Sequence, residues 1–173
     1  LSQSFNVLVT GPFGAGKSQF IETISEIPVV STEQKISDIL EGEEKSLTTV
    51  AMDYGRVSIG QNVLHLRGTP GQKRFDFMRE LLAKEVDGYV LMLDSTKSNH
   101  VPLALDLLEG LDHLKNKPRV VVANKQDLER ATHVDIVREQ LDLGDQILVL
   151  PCISTRRSSV RQVLIQLIDQ IGR

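Results

Sequence analysis

Tryptophan is missing from this chain, tyrosine occurs twice and phenylalanine five times. So thin an aromatic supply offers no stacking platform for single-stranded nucleic acid. A net charge of -3 gives no electrostatic reason to hold a polyanion either. Cys152 stands alone, which excludes an internal disulfide and suits a reducing cytosol. No apolar run approaches the ~20 residues that cross a bilayer. The four histidines have no metal-ligand spacing with Cys152 or with each other, so no zinc site is expected. What remains is a chain of 173 residues, 40% apolar and 25% charged. That is ordinary for one globular domain with a full core, read as spanning 1–173.

The chain is most specific at its glycines. Gly11-Pro12-Phe13-Gly14-Ala15-Gly16-Lys17-Ser18 satisfies G-x-x-x-x-G-K-[ST] at every required position. An apolar run at 5–9 precedes it and reads as a buried strand. Phe20, Ile21, Ile24 and Ile27 follow at helical spacing, predicting a helix over 17–27. Strand, glycine loop and helix in that order make an anion cradle. Backbone N–H groups of Phe13, Gly14, Ala15 and Gly16 curl inward, and the helix N-terminus adds its partial positive charge. Lys17 reaches the β- and γ-phosphates, and the Ser18 hydroxyl is a Mg²⁺ ligand.

Beyond the cradle the pattern predicts a polar mobile loop over 31–46, with room for a helical turn around 35–40. Residues 53–59 and 62–67 read as a hairpin closed by Gly60-Gln61, since a two-residue loop with glycine first suits a tight turn. Alternation turns Val57, Ile59, Leu64 and Leu66 inward and Arg56, His65 and Arg67 outward. His65 is therefore expected to be a solvated strand residue. A helix is predicted over 73–84, a strand over 87–94, a long amphipathic helix over 103–114 and a Val-rich strand over 119–123. A short helix follows over 134–141, with Thr132 and Asp135 at capping-box spacing. A strand over 146–150 and a helix over 160–171 close the chain. The count is six strands and five helices, an α/β three-layer sandwich with a mostly parallel sheet and one antiparallel hairpin strand. Ligands of such sheets sit at the carboxyl ends of the strands.

Asn124-Lys125-Gln126-Asp127 leaves the carboxyl end of the Val-rich strand. A carboxylate at Asp127 can accept from the ring N–H and the exocyclic amine of guanine, which adenine lacks, and the Lys125 stem can cover a ring face. With these motifs the chain resembles a small Ras-like GTPase along nearly its full length. The wording TTVAMDYG, GTPGQ and NKQD is similar to bacterial and archaeal Ras/Arf-like GTPases of the gliding-protein (MglA) and conservon type.

The resemblance implies the P-loop NTPase fold and assigns roles. Thr49 corresponds to the switch I threonine on Mg²⁺, with Thr48 as its rival. Gly71 corresponds to the switch II glycine that senses the γ-phosphate, and Gln72 to the catalytic glutamine that orients water. Cys152, Ile153 and Ser154 correspond to the base-contacting loop, the Ile153 N–H meeting the guanine oxygen. The implied activity is GTP hydrolysis with Mg²⁺, switch loops around 31–55 and 68–80 controlling partner binding. An activating partner, of roadblock type in this family, and an effector of unknown identity are implied too. A nucleotide-binding scaffold with negligible hydrolysis is the alternative. Two departures support that alternative: Gly68 stands where the family's D-x-x-G has its metal-site aspartate, and bulky Phe13 stands where Ras has glycine.

Overall fold

The computed structural model describes residues 1–36, 48–69 and 85–173. β1 (Ser4–Thr10) runs into the glycine loop and α1 (Lys17–Ile24). β2 (Val30–Ile36), β3 (Thr48–Ile59) and β4 (Asn62–Gly68) follow. After them come β5 (Gly88–Asp94), α2 (His100–Gly110), a 3-10 turn at Asp112–Leu114 and β6 (Arg119–Asn124). α3 (Val134–Leu141), β7 (Leu148–Pro151) and α4 (Arg157–Ile171) complete the described chain.

The strands form one sheet in the order β2-β3-β4-β1-β5-β6-β7. β1 pairs in parallel with β4 and β5, and the parallel run continues through β6 to β7. Period-two alternation decides the two cores. Val7, Val9, Leu64, Leu66, Val90 and Met92 face α1 and α4, whose Phe20, Ile21, Ile24, Val160 and Leu164 complete that layer. Leu8, Tyr89, Leu91, Leu93 and Val121 face the other way, against Ala104 of α2 and Val137 of α3. The α/β three-layer architecture is the one expected.

Some details differ from the sequence expectation. Among the described residues the sheet has seven strands, because Val30–Ile36 pairs antiparallel with β3, from Val30 against Tyr54 to Ile36 against Thr48. The run Ser31-Thr32-Glu33-Gln34-Lys35 carries no apolar alternation, so its sequence reads as loop. A polar edge strand is nevertheless a common way to discourage sheet-to-sheet association. Four helices lie among the described residues, and the one predicted over 73–84 falls outside them. α1 stops at Ile24 because Ser25 turns extended and its hydroxyl accepts from the Ile27 N–H, just before Pro28. The helix expected over 103–114 begins earlier, at His100, and its last turn is the separate 3-10 turn. His133, not Thr132, caps α3: its Nδ1 accepts from the Asp135 N–H at 3.2 Å.

The hairpin closes as expected, with Ile59 against Asn62 and Gly60 at φ 60°. His65 is half-buried on its strand and keeps two side-chain partners. Its Nδ1 lies 2.6 Å from the Tyr54 hydroxyl and its Nε2 2.9 Å from Ser4 Oγ. Among the described residues no helix is long and apolar enough to cross a membrane.

Candidate nucleotide-binding site

The glycine loop leaves the carboxyl end of β1 and wraps the start of α1. Gly11 has φ 152°, and a Cβ there would lie 2.2 Å from the Met92 carbonyl oxygen, so the loop can leave β1 only by passing flush against β5. The Ala15 N–H donates to the Pro12 carbonyl at 3.1 Å, and Gly16 enters the helix in a left-handed conformation at φ 101°. Only glycine adopts that conformation freely. Phe13 and Gly14 are exposed at the crest, whereas Ala15 is buried. The Lys17 side chain folds over the loop, its Nζ donating to the carbonyls of Gly11 at 2.7 Å and Pro12 at 2.9 Å. Ser18 is exposed, and its hydroxyl donates to the Asp53 carboxylate on β3.

Three further segments converge on the loop. Asn124, at the end of β6, is fully buried. Its Nδ2 donates to the Ala15 carbonyl at 2.9 Å and to Ser154 Oγ at 3.1 Å, while its Oδ1 accepts from the Ser154 N–H at 3.0 Å. A Cβ on Gly16 would fall 2.3 Å from that Nδ2, so the second glycine of the motif also makes room for Asn124. Lys125 has a left-handed backbone, φ 65°, which turns its side chain back to the cradle. Its Nζ donates to the Gly14 carbonyl at 3.1 Å and to Asp94 Oδ2 at 2.8 Å. Burial works to raise the Asp94 carboxyl, but hydrogen bonds from Lys125 and Thr96 outweigh it and hold the group below its ordinary value. The Asp94 N–H donates to His100 Nδ1 at 2.9 Å, and burial holds that imidazole below its ordinary value.

Asp127 is exposed at the same end of the sheet, and no hydrogen bond among the described residues holds its carboxylate. Cys152 lies behind it and is buried. Burial pushes its thiol up to about 11, against the opposing effect of hydrogen bonds from Ser159 and Ile153. The Ile153 N–H, expected at the base oxygen, donates to Ser159 Oγ at 2.8 Å. Thr23 of α1 donates to the Ser154 carbonyl at 2.6 Å, which pins this loop to the helix behind the cradle.

A family model described as a conserved hypothetical ATP binding protein matches residues 9–173. An uncharacterized protein of Methanocaldococcus jannaschii is 35% identical over 124 residues, 70% of either chain. Mouse ADP-ribosylation factor-like protein 10 is 30% identical over 138 residues, 79% of this chain and 51% of its own. The mutual gliding-motility protein MglA of Myxococcus xanthus is 27% identical over 148 residues, 79% of this chain and 74% of its own. The chain belongs to the family that the matching model describes, and its named relatives support a small Ras/Arf-like GTPase.

Several of the residues that the family pattern points to are therefore brought together. Phe13, Gly14, Ala15, Gly16, Lys17 and Ser18 form the loop, Asn124 and Lys125 clasp it, and Cys152 packs beneath. Thr49 is elsewhere. It lies in β3 with Lys35 opposite, four residues beyond Asp53, which on an extended strand is about 13 Å. Thr48 is the first residue of the same strand. Gly71 and Gln72 lie outside the described residues.

Sequence reasoning passed over Asp53. It placed Ser154 in the base-contacting loop but not its two bonds to Asn124. Asp53 could have been found from the hairpin: a turn at Gly60-Gln61 that sets Tyr54 against Arg67 puts Asp53 opposite Gly68 one step further on. The donors fit Mg²⁺, since a hydroxyl and a carboxylate already touch beside the phosphate cradle. Among the described residues no group of three or more acidic, His or Cys side chains could hold a metal. Mg²⁺ needs none, because it takes one or two carboxylates and completes its shell with substrate phosphates and water.

Proposed function

We propose that the protein is a guanine-nucleotide switch that binds GTP and GDP with Mg²⁺ and hydrolyses GTP slowly without a partner. The observation that supports this reading is the double bridge from Asn124 and Lys125 to the glycine loop, with exposed Asp127 two residues after Lys125. Asp127 accepts from the ring N–H and the exocyclic amine of guanine, and the Lys125 stem covers the ring. The loop N–H groups from Phe13 to Ser18 and the Lys17 ammonium hold the phosphates. Cys152 shapes the floor under the base. The Ile153 N–H serves the base oxygen once it leaves Ser159.

Ser18 and Thr49 would hold the Mg²⁺, which when bound neutralises charge on the β- and γ-phosphate oxygens. Thr49 reaches that place only if the start of β3 unpairs from β2, so the GTP state and the β2–β3 pairing exclude one another. Release and re-pairing over 31–55, together with the segment 68–80 that contains Gly71 and Gln72, constitute the switch that partners read. Gln72 orients the attacking water. Phe13, 71% exposed at the loop crest, crowds the approach of Gln72 or an incoming arginine and keeps the unassisted rate low. An activating protein, of the roadblock type, supplies the missing acceleration in the cytosol.

Gly68 and the exposed Phe13 favour a second reading, a nucleotide-holding scaffold with negligible hydrolysis. One sequence of measurements separates the readings. The nucleotide carried by the purified protein is identified by chromatography after denaturation, and phosphate release from GTP with Mg²⁺ is then timed, with Gln72→Ala beside wild type. GDP or GTP in the first step and slow release lost in Gln72→Ala support the switch. Adenine nucleotide in the first step overturns the base assignment. Wild type that releases no more phosphate than Gln72→Ala, even with activators added, leaves the scaffold.

A further inference from the structure

At position 68 the chain brings no carboxylate to the metal side of the cradle. The strand beside it does. Cross-strand neighbours of an antiparallel pair point to the same face, and one step past the pair Tyr54–Arg67 the hairpin sets Asp53 opposite Gly68. A Cβ on Gly68 would lie 3.4 Å from the Asp53 Cβ and 3.0 Å from Ile21 Cδ1, so the two positions start from nearly one point above α1. We propose that Asp53, presented by β3, is the carboxylate of the Mg²⁺ site, standing in for the one that position 68 lacks. This rests on the guanine-nucleotide reading above.

Two observations and the geometry of Mg²⁺ coordination converge on it. The Asp53 carboxylate already receives the hydroxyl hydrogen of Ser18, the residue at the metal position of the loop motif. Neighbouring ligands of an octahedral Mg²⁺ at about 2.1 Å are about 3 Å apart. Two oxygens in hydrogen-bond contact therefore need to shift little to share the ion, directly or through one of its waters. Finally, β3 is held tight to the cradle. Gly55, two residues on, lies so close to α1 that a Cβ there would be 2.6 Å from Ile21 Cγ2. That approach fixes how far Asp53 can stand from Ser18. With the ion bound, Ser18 Oγ would give it a lone pair, and the Asp53 carboxylate would ligate it directly or accept from one of its waters.

Release of a fluorescent GDP from the purified protein, measured across buffered free Mg²⁺, tests the assignment without reference to hydrolysis. Asp53→Asn keeps the shape and removes the charge. It is expected to raise the Mg²⁺ concentration for half-maximal slowing of release by about 10–100-fold, the usual cost of losing a group that supports a metal. Its release rate in excess chelator stays at the wild-type value. Asp53→Ala/Gly68→Asp moves the carboxylate to the neighbouring strand and is expected to hold Mg²⁺ more tightly than Asp53→Ala alone. An Asp53→Asn protein with the wild-type Mg²⁺ midpoint overturns the proposal, as does a double variant no tighter for the metal than Asp53→Ala. Failure of the underlying reading looks different: wild type then retains no fluorescent GDP at any Mg²⁺ concentration, before any variant is compared, and the proposal falls with it.

Discussion

Asn124 and Ser154 hold each other at both ends. The amide nitrogen of Asn124 donates to the Ser154 hydroxyl while its oxygen accepts from the Ser154 N–H, at 3.1 and 3.0 Å. With the bond to the Ala15 carbonyl, one fully buried side chain ties the glycine loop to the loop after β7. Truncating it leaves a buried carbonyl and a buried N–H without partners, at about 1–3 kcal/mol for each unsatisfied group. Asn124→Ala is therefore expected to lower the thermal midpoint and to weaken nucleotide binding together, read by calorimetry. Full binding in a destabilised variant would show that the tie serves folding alone.

Asp127→Asn leaves this framework untouched, because Asp127 is exposed. The variant loses an acceptor for two guanine donors and gains a donor suited to the second carbonyl of xanthine. Affinity for GTP is expected to fall by about 10⁴–10⁵, the range for a site that loses matched hydrogen bonds to its ligand. Affinity for xanthosine triphosphate should rise. Competition binding with GTP, ATP and xanthosine triphosphate reads both changes at once.

Acid acts first on His100. Burial holds its folded value below 6.5, the Asp94 charge opposing, and its Nδ1 accepts from the Asp94 N–H. The unfolded chain then binds the proton more readily than the folded one, so stability is full above about 6.5 and falls as pH drops through the folded value. Asp94, held below its ordinary value, adds a second loss at lower pH. The thermal midpoint of wild type is expected to fall between pH 7 and pH 5, and that of His100→Gln to fall less. Equal pH slopes would remove His100 from the account.

The Cys152 thiol stays protonated at neutral pH because its folded value is about 11. The thiolate is the reactive form, and the group is buried besides. Labelling by a thiol reagent at pH 7.5 should be far slower than for the urea-unfolded chain. Bound nucleotide should slow it further if the base rests on this loop. Rapid labelling of the native protein would contradict the buried placement.

The sequence made the sheet legible wherever strands are buried on both faces, since runs such as 88–94 and 119–123 have no other reading. The hairpin was legible for a different reason: a two-residue turn sets its own register. β2 was not, because an edge strand needs no apolar face, and VSTEQKI carries none of the alternation that marks a strand. The cradle and the NKQD loop could be read from local spacing, which is how short motifs encode a site. The contacts of Asp53 with Ser18 and of Ser154 with Asn124 could not, because the partners stand 35 and 30 residues apart, and only the hairpin register leads to Asp53. Helix ends were read least well. Ser25 and His133 set them through side-chain bonds to the backbone that hydrophobic period does not register.

The strand order has a consequence for communication. β2 and β6 are separated by five inter-strand steps, so the edge strand and the NKQD loop stand about 24 Å apart across the sheet. A protein seated along β2 is too far away to touch the base. Its knowledge of what is bound has to arrive sideways, through whether the outermost ladder is zipped or open. On the proposed guanine-nucleotide reading, base choice would sit near one side of the sheet and state reporting at the other edge, with the phosphate cradle between them.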